Sequence, residues 1–143
     1  MSPTPDPTAN AVKDRMWQHD AFSQWLGLEI ETCAPGYCRL HFLVRPEMQN
    51  GFGMVHGGVL FSAADSALAF ASNSHGRLSV VLQAAIDFLE TGRVGEVLYV
   101  EAREESLKYK VGVYQIRMTR EDGTCVALFK GTVYRTSQEV LAT

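Results

Sequence analysis

His56-Gly57-Gly58-Val59-Leu60-Phe61-Ser62-Ala63-Ala64-Asp65-Ser66-Ala67-Leu68-Ala69-Phe70-Ala71 decides how the rest of the chain must fold. Two glycines at a turn lead into a run whose apolar side chains cover nearly every side of a helix, predicted over residues 58–74 and stopped by Gly76. A helix apolar all round is enclosed by other structure, and its many alanines let a sheet approach the axis closely. In the middle of the run stands Asp65, whose carboxylate must then be buried or nearly so.

Outward from the helix the pattern changes period. Four strand-like runs follow it, at about 79–89, 95–106, 110–120 and 124–135, with turn signals at Gly92–Gly95 and Glu121-Asp122-Gly123. Two more precede it, at 28–34 and 37–45, joined by Pro35-Gly36. In the second of these, Leu40, Phe42 and Val44 alternate with Arg39, His41 and Arg45, which buries one face and wets the other. Pro46–Gly53 reads as a loop turning at Asn50-Gly51. Val12, Met16, Trp17, Phe22, Trp25 and Leu26 fall on helical spacing, so one amphipathic helix is expected from about Ala11 to Leu26, ending at Gly27. Strands joined by short turns make an antiparallel sheet. The expected class is α+β, an antiparallel sheet of about five to six strands wrapped round a long central helix.

The 143 residues suit one domain with a real core, placed at 11–136. Residues 1–10 hold three of the five prolines and few hydrophobes, so they are expected to form a disordered tail, and 137–143 a C-terminal tail. A net charge of −3 offers no electrostatic case for nucleic acid or an anionic membrane. No apolar run is long enough to span a bilayer. Three cysteines (33, 38 and 125) cannot all pair in one chain and nothing reads as a signal peptide, which points to reduced thiols in the cytoplasm.

Asp65 has two readings: a structural carboxylate with a partner out of view, or a reactive group. Burial disfavours its anion and raises its pKa, and a desolvated carboxylate titrating nearer neutrality is a competent base or nucleophile. The His56-Gly57-Gly58 turn also has two readings. It is a tight lead into a helix, or a cradle in which unpaired first-turn N–H groups stabilise an oxyanion by roughly 3–4 kcal/mol per donor. Geometry links them. Gly57 and Asp65 are eight residues apart, ~12 Å along one helix axis, whereas a catalytic carboxylate must come within roughly 3 Å of its target. If both act on one bond, they come from two copies of the helix running antiparallel across a two-fold axis.

Other chemistry fades. The histidines at 19, 41, 56 and 75 lack metal-ligand spacing, so no metal is expected. There is no Gly-x-Ser-x-Gly nucleophile, and Gly51-x-Gly53 lacks the third glycine of a dinucleotide site. Lys108 and Lys110, beside Arg103, could hold phosphate or serve only solubility on a strand edge. Met54, Phe61 and Phe70 could line an aromatic pocket or simply fill the core.

Asn50-Gly51, His56-Gly57-Gly58, Phe61-Ser62, Ala64-Asp65, Ala71-Ser72-Asn73-Ser74-His75-Gly76 and Ile86-Asp87-Phe88-Leu89 together resemble the hotdog-fold acyl-CoA thioesterases, of the phenylacetate-degradation (PaaI-like) type. The likeness runs from the N-terminal helix to about Arg135. It implies a sheet curled round the long helix and homodimers joined sheet edge to sheet edge, with active sites at the joint and dimers pairing into tetramers. By the same resemblance, Gly57 N–H polarises the thioester carbonyl and Asp65 of the partner subunit activates water or attacks directly. Asn50 orients the water or the carboxylate, and His56 shapes the helix start. Apart from the resemblance, Gly58, Met54 and Phe61 are expected to adjoin the substrate. The substrate would be an aromatic acyl-CoA, with no cofactor. Relatives often carry Arg-Pro where Glu90-Thr91-Gly92 stands here, and some a Ser or Thr where Val80, Val81 and Leu82 stand. The coenzyme A phosphate contacts and any hydroxyl helper are left unassigned by these departures. Two rival functions share the fold: a non-catalytic acyl-CoA-binding protein, and an enoyl-CoA hydratase.

Overall fold

The computed structural model describes residues 3–143. Helices α1 (Pro7–His19) and α2 (Ala21–Leu26) come first, then strands β1 (Glu29–Ala34) and β2 (Tyr37–Leu43). A 3-10 turn at Pro46–Met48 and a loop lead to α3 (Gly57–Asn73). Strands β3 (Arg77–Phe88), β4 (Val97–Leu107), β5 (Val111–Arg120) and β6 (Cys125–Glu139) follow, and the chain ends in a 3-10 turn at Val140–Ala142. The six strands form one sheet in the order β1-β2-β4-β5-β6-β3, with every pairing antiparallel. The expected α+β class and strand number are what the molecule adopts.

The alternating residues of β2 divide as their chemistry requires: Leu40, Phe42 and Val44 enter the core while Arg39 and His41 stay at the surface. Ala63, Ala64, Ala67, Leu68 and Ala71 of α3 are fully buried in one cluster with Leu98, Val100, Ile116, Met118 and Phe129 of the sheet. Small side chains allow this closeness. At Gly131 on β6 a Cβ would overlap the Leu68 side chain, so the helix can sit this near the strand only where β6 carries glycine.

Three expectations need correction. The N-terminal helix begins at Pro7, not at residue 11: Asp6 accepts the Ala9 N–H at 2.7 Å, Pro7 suits the first helical position, and Ala9 is buried. Of the expected tail, residues 1–2 lie outside the described residues, and residues 7–10 are helix. That helix is also two helices. Asp20 interrupts it, its side chain accepting the Ser23 N–H at 2.9 Å and so starting α2 afresh. The C-terminal segment is not a loose tail either. β6 continues to Glu139, Val140 is buried with its N–H on Gly76 O, and Arg15 holds Thr143 O at 2.9 Å.

The central helix is enclosed over only part of its length. Its C-terminal half is covered by the sheet and by α1, where Trp17 meets Phe70 at 6.4 Å between ring centroids. Its N-terminal half opens along one face, carrying Gly58, Phe61, Ser62 and Asp65. Beside that half runs β3, which pairs with β6 on one edge and with no described strand on the other. Val80, Val81 and Leu82 are exposed along it, Leu82 to 61%.

Candidate active site

The start of α3 is built by a folded loop. Gln49 and Val55 form an antiparallel bridge, His56 N–H bonds Met48 O at 2.8 Å, and Val55 N–H bonds Gly92 O at 2.8 Å. Asn50 stands next to this bridge. Its Oδ1 accepts the N–H groups of Phe52 (2.8 Å) and Met54 (3.2 Å), which closes the loop at the expected Asn50-Gly51 turn. The Asn50 Nδ2 has no partner among the described residues and remains free to donate.

The donors of the first helical turn are almost all taken. Gly58 N–H goes to His56 Nδ1 at 2.8 Å, and the N–H groups of Val59 and Leu60 both reach His56 O. Gly57 N–H alone has no acceptor among the described residues. This is the orphan donor that an oxyanion would use. His56 therefore shapes the helix start through its ring nitrogen. Gly58 lies on the open surface, but its N–H is committed to His56 and unavailable to a ligand. A Cβ on Gly57 would stand 3.2 Å from the Phe88 ring, so glycine keeps the space between this N–H and the end of β3 open. Phe88 thus flanks the donor, although in the sequence it reads only as a strand residue.

Asp65 lies two turns further along the open face. It is half-buried and makes no hydrogen bond among the described residues. Burial pushes its pKa up, and the Asp20 carboxylate pushes in the same direction. Asp20 is brought there by a short chain of polar contacts. Ser23 Oγ donates to Asp20 Oδ2 at 2.6 Å and lies 2.8 Å from the Oγ of Ser66, the residue after Asp65. Asp20 was hidden in the sequence because its influence depends on how α2 docks against α3.

Within one chain Gly57 and Asp65 do not converge. They occupy one uninterrupted helix, so the ~12 Å axial separation stands. Of the pocket candidates, Phe61 remains 38% exposed and meets Phe129 edge-on at 5.1 Å between centroids, and Met54 is partly buried. Phe70 is core. Lys108 and Lys110 lie exposed at the β4–β5 turn, with Arg77 stacked on Tyr109 at 4.8 Å between them and Arg135 bonded to Lys108 O. None of these four cations has a carboxylate partner among the described residues. They sit at the start of β3, whereas Gly57 sits by its end, roughly 36 Å of extended strand away in the same chain.

Residues 52–127 match the family described as Thioesterase superfamily. The acyl-coenzyme A thioesterase PaaI of Escherichia coli K12 is 37% identical over 120 residues, covering 84% of this chain and 86% of its own. The chain belongs to the thioesterase superfamily. The solved structure of E. coli PaaI superposes on this thioesterase with a TM-score of 0.91 at 34% identity, covering 92% of this chain and 96% of that one. A hypothetical thioesterase of Streptococcus pneumoniae TIGR4, solved with coenzyme A, gives 0.76 at 26% identity over 79% of this chain and 91% of its own. The hotdog architecture is therefore shared, and the protein is a thioester hydrolase. An orphan amide donor and an unpaired carboxylate of raised pKa are chemically suited to such a reaction.

Proposed function

We propose that this thioesterase hydrolyses acyl-CoA esters of a phenylacetyl type, in a homodimer whose two sites each combine Gly57 of one subunit with the partner's Asp65. The unpaired Gly57 N–H carries this reading, because among the described residues no acceptor bonds to it and Asp65 of the same helix lies ~12 Å along the axis. The open edge of β3 supports the dimer. A long exposed strand bearing Val80, Val81 and Leu82 is an invitation to edge pairing unless another copy covers it. Antiparallel pairing of two such edges would carry the start of one β3 toward the end of the other. It would thereby bring Lys108, Lys110 and Arg77 toward the partner's Gly57, where they suit the phosphates of coenzyme A. Pairing of two such dimers into a tetramer follows the resemblance to the PaaI type. The free thiols are in keeping with a cytoplasmic setting.

In the reaction, water attacks the thioester carbon as Asp65 takes its proton. Negative charge on the former carbonyl oxygen is held by Gly57 N–H, while the free Asn50 Nδ2 orients the water or the carboxylate. The C–S bond then breaks, and the proton on Asp65 returns to the leaving thiolate, giving the free acid and coenzyme A. A carboxylate whose pKa is raised by burial suits both halves of this exchange better than a fully solvated one. No cofactor enters the scheme.

Subunit mixing tests it. Gly57→Pro and Asp65→Asn each disable both sites of a homodimer, yet their hybrid holds one intact site out of two. Random exchange makes half the dimers hybrids, so thiol release from phenylacetyl-CoA should recover to about a quarter of the wild-type rate. No recovery after mass spectrometry has shown exchange would rule out shared sites. Tight binding of the ester without any thiol release by the wild type would favour the non-catalytic rival.

A further inference from the structure

We propose that the acyl group of the substrate lies in the cleft between α2 and the first turn of α3, and that Trp25 and Phe22 select an acyl group bearing a single aromatic ring. This rests on the hydrolase reading above and adds to it the place and the residues of acyl selection.

The cleft encloses roughly 260 Å³, with Leu26, Met48 and Val59 among its walls and the rings of Phe22 and Trp25 beside them. His56 and Gly58, the residues on either side of Gly57, both line it. A carbonyl oxygen held at Gly57 N–H therefore has the mouth of this cleft beside it. On the other flank the Phe88 ring closes against Gly57.

Two large aromatic rings stand exposed on this helix of six residues. Trp25 is 69% exposed and Phe22 52%, their ring centroids 5.8 Å apart and tilted by 42°. They are nonetheless held in place. Asp20 caps the start of α2, Ser23 ties it to Ser66, and the Arg45 guanidinium bonds the carbonyls of Leu26 (2.8 Å) and Trp25 (3.2 Å) at its end. Arg45 is itself neutralised by Glu47 at 2.6 Å, which leaves the rim without net charge and unsuited to a carboxylated acyl group.

Size and chemistry narrow the occupant. An apolar cavity of roughly 150 Å³ accommodates benzene, so this one takes a ring with a short linker, and it falls below the range typical of drug-sized ligands. Aromatic walls and the Met48 thioether favour a flat, polarizable group over an alkyl chain.

The test compares phenylacetyl-CoA with acetyl-CoA. Trp25→Ala should raise KM for phenylacetyl-CoA about tenfold with little change in kcat, leave acetyl-CoA within about twofold, and Trp25→Phe should restore most of the difference. Independently of turnover, 2-oxo-3-phenylpropyl-CoA, a thioether ketone that cannot be hydrolysed, should quench wild-type tryptophan fluorescence. The quench should be lost in Trp25→Phe, which retains Trp17. Equal effects of Trp25→Ala on both esters, or quenching that survives in Trp25→Phe, would overturn the assignment while leaving the hydrolase intact. So would a drop in oligomeric mass for Trp25→Ala with an unchanged ester preference, since the cleft would then be a contact between copies. Absence of thiol release from every ester by the wild type would instead sink the hydrolase reading, and the fluorescence measurement would still decide the cleft.

Discussion

The two halves of α3 have similar composition, alanine-rich with a few polar residues, yet they treat those polar residues in opposite ways. In the C-terminal half every buried polar group is answered. Asn73 Nδ2 donates to Ala69 O at 2.9 Å, its Oδ1 accepts Ser79 N–H at 2.8 Å, and Ser74 Oγ both donates to Ala71 O and accepts Gly36 N–H. In the N-terminal half the Gly57 N–H and the Asp65 carboxylate are left unanswered. A buried polar group with its bonds made holds the fold together, whereas one kept in readiness destabilises it and serves something that arrives later. The helix is thus divided between answered and unanswered groups, and the boundary falls near Ser66, whose hydroxyl already belongs to the α2 contact.

The sharpest way to break this comparison is to delete the unanswered amide, with the Phe88 ring yielding slightly to the new Cβ. Gly57 occupies the first helical position, where proline is well tolerated, and His56 already has φ −66° and ψ 136°, a conformation suited to preceding proline. Gly57→Pro should therefore fold and dimerise. It should lower kcat on phenylacetyl-CoA by roughly 10²–10³-fold, the loss expected for one oxyanion donor. A variant with normal circular dichroism and near-normal turnover would remove Gly57 from the reaction.

Asp65→Asn comes next. It keeps the shape of the side chain but not its basicity, and should reduce kcat by at least ~10²-fold with assembly unchanged. If the activity survives, the open face of α3 is only a surface.

Much of this was legible before any coordinates. The hairpin dipeptides and the alternation in β2 are local signals, and the α+β class follows from them. The distance between Gly57 and Asp65 is a property of any helix, so the proposal of a shared site could be framed from residue numbers. What stayed hidden depends on competition or on contact. Asp20 interrupts a continuous apolar spacing because its side chain outbids the helix for the Ser23 N–H. Asp6 and Pro7 start a helix inside a proline-rich segment that composition alone assigns to disorder. Phe88 and Trp25 acquire their places only when β3 and α2 pack beside the helix start, and no periodicity announces that.

On the architectural side of the divide, Asn73→Ala should give the reverse outcome. It strands the buried Ser79 N–H, while Ala69 O keeps the Ser72 hydroxyl, a loss of about 1–3 kcal/mol. Urea unfolding should register the whole effect. Turnover per folded protomer, measured well below the denaturation midpoint, should stay within about twofold of wild type. A specific fall in kcat would place the C-terminal half in the chemistry and erase the distinction.

The smallest effect expected is also the most direct test of what readiness costs the fold. Asp65 has a folded-state pKa above its ordinary value of 3.8, because burial and Asp20 disfavour the anion. Well below that value both folded and unfolded chains carry the proton, and the residue imposes no electrostatic penalty. As pH rises through the window between the unfolded and folded values, the unfolded chain releases its proton first. Stability is lost across that window, and the loss is complete once the folded carboxylate has also ionised. Asp65→Asn removes the ionisation. At pH 7.5 it should therefore unfold at a higher urea concentration than wild type, and the advantage should shrink as pH falls toward the ordinary carboxylate range. Both proteins must be compared at one protomer concentration, because any association between copies adds to apparent stability. A variant less stable than wild type at neutral pH would mean that Asp65 is held by a favourable partner in the assembled protein, and its carboxylate would then belong with Asn73 among the answered groups.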